Sequence, residues 1–374
     1  MPISMNELHA LSTQVLWASF ALSFLFGAIA QRTHFCTMGA VSDVVNMGDW
    51  TRARQWALAI AVAMIGFAAL VATGRIDASR TLYSAPRVLW LSALVGGAMF
   101  GFGMVLASGC GGKTLVRVGS GNLKSLVVLL VMGLASYATL RGVTAVARVA
   151  SVDRWAWEPG NGTLLSQLVA GAPAGPQVAQ TGLVLALVLG GALALWALMG
   201  RGFRRWDNLL AGLGLGAVVA GMWWVSGSLG FVAEHPETLE SVYLTTNSGR
   251  IEAMSFVAPV AYTLDWLILF SDKSKVLTFS VVSVLGVIAG SAVQSLASRS
   301  FRWEGFANTQ DLAHHLVGAA LMGVGGVTAL GCTVGQGLSG ISTLSLTSFI
   351  ALAAIVAGAV AALKYQVWQL ERGG

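Results

Sequence analysis

Three cysteines carry the sulfur chemistry open to this chain: Cys36, Cys110 and Cys332. An odd number argues against a disulfide framework. Each lies beside a polar break flanking an apolar run: Cys36 in RTHFCTMG, Cys110 in ASGCGGKT and Cys332 in ALGCTVGQG. A free cysteine is usually a small buried hydrophobe. None of the three lies in the middle of a run, and that placement points instead to the thiol as a weak S–H donor with a polarisable sulfur. Such groups suit the passage of a soft, sulfur-containing anion, which a fixed positive charge would bind too tightly to release. No Cys-x-x-Cys or Cys/His cluster is present, so no metal site is expected. His314 and His315 are adjacent and project in different directions around a helix, so they form no chelating pair.

The glycines beside the cysteines extend the candidate path: Gly109, Gly111 and Gly112 around Cys110, and Gly331, Gly335 and Gly337 around Cys332. Glycine lets backbone approach a ligand closely and permits nests of N–H groups that bind anions. A helix starting after such a turn adds the positive end of its dipole. The plainer reading is that the glycines only pack helices, and their duplication around two cysteines weighs against it. Lys113 and Arg117 are four apart and share a face if that segment is helical. Basic groups near a mouth concentrate anions, although anchoring at the membrane surface explains them equally well. ASGCGGKT also nearly matches a phosphate-binding loop. It lacks the first glycine and follows a helix-length apolar run instead of a strand, so no nucleotide or other cofactor is expected.

The elements that must hold these residues follow from composition. Of 374 residues, 56% are hydrophobic and only 10% charged, with mean hydropathy +0.74. A soluble domain carries about 25% charged residues. Soluble globule, disordered tail, secreted disulfide scaffold and nucleic-acid binder are thereby excluded, and an all-α polytopic membrane protein remains. The net charge of +6 arises from Lys and Arg between apolar runs, as the positive-inside bias requires. Nine runs approach the length needed to cross a bilayer, near 12–31, 55–73, 88–108, 122–141, 180–199, 208–225, 276–297, 312–330 and 344–364. The stretch 253–270, interrupted by Pro259 and Asp265, reads as short, interfacial or re-entrant. The N-terminus lacks a basic region and a cleavage site ahead of its apolar run, which reads as a first span. Residues 1–374 are expected to form a single integral membrane domain.

An internal repeat organises it. GGAMFGFGMVLASGC (96–110) aligns with GAALMGVGGVTALGC (318–332), placing Gly96, Gly101, Gly103, Gly109 and Cys110 on Gly318, Gly323, Gly325, Gly331 and Cys332. Repeat 1 is expected over about 12–141, a linker span near 180–199, and repeat 2 over about 208–364. Four spans plus one linker span are five crossings, so the second half enters the membrane inverted. Thirteen of the 22 basic residues fall opposite the N-terminus, which places that side in the cytoplasm.

RTHFCTMG, ASGCGGKTLVRVGSGN and ALGCTVGQGLSG together resemble the motifs of the YeeE/YedE family of sulfur-transport membrane proteins, over about residues 15–364. The resemblance implies nine spans with short re-entrant helices in an hourglass, in the bacterial inner membrane. It implies thiosulfate uptake past three path cysteines, Cys36, Cys110 and Cys332. It further implies a small TusA-like sulfur-carrier protein as a partner. The leading expectation is a permease for thiosulfate or a related anion. The alternatives are a permease for another sulfur or selenium species, a membrane sulfurtransferase carrying a persulfide on one thiol, and a purely structural membrane subunit.

Overall fold

The structure, a computed structural model, describes residues 4–373. Apolar residues throughout these segments make helix the only economical backbone, because each satisfies its own N–H and C=O groups. The first half contains α1 (Met5–Arg32), α2 (Thr37–Met47), α3 (Thr51–Ala72), α4 (Trp90–Leu106), α5 (Gly111–Gly119) and α6 (Leu123–Arg141). The connection carries short α7 (Val143–Ala150) and α8 (Leu165–Ala170), followed by α9 (Pro176–Leu198). Next, α10 (Trp206–Leu209) and α11 (Leu215–Trp224) are joined by a π-turn, Leu210–Gly214, and a second π-turn follows at Val225–Leu229. A two-residue ribbon, β1 (Phe231–Val232) with β2 (Val242–Tyr243), precedes α12 (Ala258–Ile268), α13 (Phe279–Ala297) and α14 (Thr309–Thr328). The chain closes with a π-turn at Gly335–Gly340 and α15 (Leu346–Gly373).

Eight helical stretches among the described residues are long and apolar enough to cross a membrane. They match eight of the nine expected runs. The ninth, α14, is 20 residues long but opens with Asp311, His314 and His315, so it is more polar than the rest. It packs against α4 and α6. Between α11 and α13, residues 251–257 are largely buried, and α12 follows them. The broken stretch expected there is thus a buried non-helical segment followed by a short helix.

Loop hydrogen bonds show which helix ends lie together. At one end, the Arg302 N–H donates to Ser120 O at 3.1 Å and the Leu123 N–H to Glu304 O at 2.9 Å. Lys124 reinforces this end, lying 2.9 Å from Asp311 and 3.7 Å from Glu304. At another, the Val88 N–H donates to Trp157 O at 2.8 Å and the Leu165 N–H to Leu344 O at 2.9 Å, tying the starts of α4 and α15 to one connection. Hence α6 and α14 start together, as do α4 and α15, and α4 runs antiparallel to α14.

Glycines set the α4–α14 seam. A Cβ on Gly96 would lie 2.7 Å from Gly325 O, and one on Gly325 2.6 Å from Gly96 O. Gly103 and Gly318 meet reciprocally, each 2.6 Å from the other's carbonyl oxygen. Beside the seam, Gly101 faces the Ile355 backbone and Gly323 the Met132 backbone. Gly325→Val should destabilise the folded protein by about 1–3 kcal/mol or more, since the intruding atoms meet backbone that cannot rotate away. Gly191→Ala on α9, where the added Cβ meets nothing within 4 Å, should be neutral or slightly stabilising. Thermal denaturation in detergent, followed by size-exclusion chromatography, measures both.

Candidate functional site

The three cysteines occupy the same local construction. The residue two positions before each has left-handed backbone: His34 at φ 52°, Ser108 at 55° and Leu330 at 58°. A non-glycine residue there is uncommon and costs about 1 kcal/mol or more. The turn closes each preceding helix: Phe35 N–H bonds Ala30 O, Gly109 N–H bonds Met104 O and Gly331 N–H bonds Gly326 O. The next helical segment starts at the cysteine. Cys36 is the N-cap of α2 and Cys110 of α5, and Cys332 precedes the helical turn that leads into Gly335–Gly340. Each thiol therefore stands where free N–H groups and the positive end of a helix gather.

Their partners differ. The Cys36 Sγ accepts from Gly39 N–H and the Cys332 Sγ from Gly335 N–H, both at 3.4 Å. Cys110 makes no such cap bond; its sulfur has the Thr37 hydroxyl at 4.0 Å. Its S–H and lone pairs are the least committed of the three. All three are buried and free.

Cys36, Cys110, Gly112 and Lys113 line one small cavity together with Phe26, Phe35, Thr37, Trp56 and Val334. Its volume is about 10 Å³, room for about one water. Trp56 stacks on Phe35 at 4.6 Å, and its buried indole N–H has no partner among the described residues. Lys113 forms no ion pair among them, whereas Arg117, four residues on in α5, donates to Ser108 O at 2.7 Å and pins the turn before Cys110. No Asp, Glu or His lines this cavity.

Cys332 faces the other way, with the Ser255 hydroxyl 4.0 Å from its sulfur. Ser255 and Gly331 line a second cavity of about 150 Å³, with Glu252, Tyr262, Ser248, Ser280 and Arg148. Val334 lines the small cavity, and Phe256 follows Ser255 of the larger one. A Cβ on Gly112 would meet the Phe256 ring at 3.1 Å and Val334 at 3.5 Å. Gly111 backs onto Met132 and Phe256, and Gly335 onto Ser255 and the Tyr83 hydroxyl. Gly109 lies against the Lys113 stem, Gly331 against Gln336 and Gly337 against Leu352 and Trp56. All ten residues singled out in the sequence thus belong to this central region, Gly337 only through packing.

Sequence reasoning missed Trp56, Thr37, Ser255, Phe256 and Glu252. Trp56 and Thr37 belong to apolar or short helical segments and carry no local signal. Pro259 marked the 253–270 stretch as broken, but nothing in its pattern showed that 251–257 is buried. His34 and Arg32, which flank Cys36, are exposed, and Arg32 pairs with Asp207 at 3.2 Å.

A family model described as sulphur transport matches residues 32–361. The thiosulfate transporter TsuA of Spirochaeta thermophila is 28% identical over 352 residues, covering 90% of this chain and 94% of that protein. TsuA of Escherichia coli is 26% identical over 349 residues, 89% of this chain and 90% of its own. A protein of Salmonella typhimurium described as a probable transporter, YedE, is 33% identical over 87 residues, 23% of this chain and 20% of its own. These relatives bear the names of transporters, not of enzymes.

Burial sets the reactivity expected of the thiols, because only an accessible thiolate attacks an electrophile. A bulky maleimide-polymer reagent should add no label to the folded protein and three labels after denaturation in detergent. A gel-shift assay counts them, and labelling of the native protein would place a thiol at the surface.

Proposed function

This chain belongs to the sulphur transport family, and from that premise we propose that it is a permease carrying thiosulfate past Cys36, Cys110 and Cys332. The observation that carries the reading is the repeated construction, in which three buried thiols each stand at the start of a helical turn. Two share a cavity with a lysine, and the third lies beside Ser255 and Gly331, which line a larger cavity. Coverage of about nine-tenths of the TsuA relatives supports the substrate.

In this mechanism the anion gives up water step by step. Neutral S–H groups donate weakly to its sulfur and oxygens, and helical N–H groups supply partial positive charge. None holds it as an ion pair would, so each contact can be exchanged for the next. Cys110, lacking a cap bond, is the central exchange point. With room for about one water beside it, the path is closed in this conformation and requires Phe256 and Val334 to move.

The wider architecture belongs to the same proposal. The two halves are inverted repeats about the α4–α14 seam. The reciprocal Gly96–Gly325 and Gly103–Gly318 contacts, which the repeat alignment maps onto each other, support this. On this reading α14 is a ninth crossing, and α12 with residues 251–257 re-enters the membrane. The path narrows like an hourglass between the two cavities. The end carrying Lys124 and Arg302 faces the cytoplasm, following the positive-inside bias. The chain resides in the bacterial inner membrane, where a TusA-like carrier is the proposed recipient of the anion. The sulfurtransferase alternative needs a base beside the thiol, and the Cys36–Cys110 cavity offers none among the described residues.

Growth on thiosulfate as sole sulfur source, in a strain lacking its own sulfate and thiosulfate uptake, tests the reading. The wild-type chain should restore growth. Cys110→Ala, Cys36→Ala and Cys332→Ala should fail despite normal membrane levels. Full growth of Cys110→Ala would remove the thiol from the mechanism.

A further inference from the structure

Glu252 is a buried acid that the transport reading leaves unused. It is 6% exposed and has no ion-pair partner within 4 Å among the described residues. Its carboxylate accepts from Ser248 N–H at 2.8 Å and from the Ser280 hydroxyl, on α13, at 3.4 Å. The Ser226 hydroxyl, in the π-turn after α11, fixes its main-chain carbonyl. It lines the 150 Å³ cavity that reaches Ser255 and Gly331, the neighbours of Cys332. An ion approaching Cys332 through that cavity passes this carboxyl group.

The groups facing it do not neutralise it. Arg148, on α7, lines the cavity but lies 3.5 Å from Asp153. Arg250, two residues away on the same segment, donates to Thr81 O at 3.4 Å and Ser84 O at 3.1 Å. Tyr262 on α12 and Ser280 on α13 are neutral lining groups. Tyr83 and Cys332 are its remaining titratable neighbours, and both are neutral near pH 7. An ionised Glu252 therefore presents an uncompensated negative charge to the cavity. Thiosulfate carries two negative charges at neutral pH, and like charges repel strongly where water is scarce.

We propose that Glu252 is a proton-operated gate, closed to the anion when ionised and open when protonated. Resting on the thiosulfate reading, the proposal adds a dependence on proton supply that the thiols do not provide. Protonation takes one H⁺ from the water on the cavity side and converts the carboxylate to a neutral carboxyl. Its O–H then donates to an oxygen of the passing anion. Ionisation returns the same proton to that water, so no other reactant is consumed. The sign follows: the conducting form is the protonated one, so uptake is greatest at low external pH and declines as pH rises through the pKa.

Uptake of radiolabelled thiosulfate into proteoliposomes, with internal pH fixed, membrane potential clamped and external pH varied, tests the gate. Wild-type uptake should fall by about tenfold per pH unit above the pKa of the gate. Glu252→Gln, which cannot ionise yet keeps an acceptor and a donor, should give a flat profile that exceeds wild type at high pH. Glu252→Asp, which retains the acid, should keep a declining profile. A Glu252→Gln profile that tracks wild type, or loss of uptake in correctly inserted Glu252→Gln protein, would overturn the gate. If Glu252→Gln does not reach the membrane, a flat Glu252→Asp or wild-type profile overturns it equally. Failure of wild type to take up thiosulfate at any pH would instead overturn the substrate reading, so the two outcomes are separable.

Discussion

Two helices reach backbone contact only where neither carries a side chain, and the centre of this protein is built on that constraint. Along the α4–α14 seam, Gly96 meets Gly325 and Gly103 meets Gly318, so the two helices pack at their closest distance. Both helices end in a left-handed turn, at Ser108 and at Leu330, and a cysteine follows each. The tight seam fixes where those two turns lie relative to each other. Cys110 then lies on the small cavity with Val334, and Cys332 lies beside Ser255.

The site joins two kinds of positive potential that differ in reversibility. Lys113 contributes a full charge beside Cys36 and Cys110. The helix starts at the cysteines contribute partial charges on N–H groups, spread over several atoms. A path made mainly of the second kind can hold an anion without trapping it. Thiols extend this logic, since an S–H is a weaker donor than an O–H or N–H and its sulfur is polarisable. On the proposed transport reading, the scarcity of charge in the sequence belongs to the path as well as to the lipid-facing surface.

Much of this was legible in the residues. Cysteines beside glycine breaks marked the buried turns between helices because a membrane helix breaks only where something replaces its lost hydrogen bonds. The repeated glycines marked the seam, since their spacing survives translation by 222 positions from Cys110 to Cys332. What escaped was set by contacts distant in sequence. Glu252 and Phe256 lie on irregular chain, which has no periodic signature, and only the fold shows that they are buried among helices. Trp56 looked like any aromatic in an apolar run. The π-turns at Leu210–Gly214 and Gly335–Gly340 widen the backbone by one residue and leave no mark in hydropathy. The polar opening of α14 makes sense only beside Lys124, which binds Asp311 across 187 residues of sequence.

Burial of all three sulfurs has a further consequence for the durability of the molecule. Oxidation of a cysteine to sulfenic acid and beyond starts from an exposed thiolate, and each step past the first is difficult to reverse. Here Cys36, Cys110 and Cys332 are 7%, 3% and 0% exposed, so peroxide and dissolved oxygen meet packed side chains before they meet sulfur. The packing that hides the sulfurs therefore also slows their loss to oxidation.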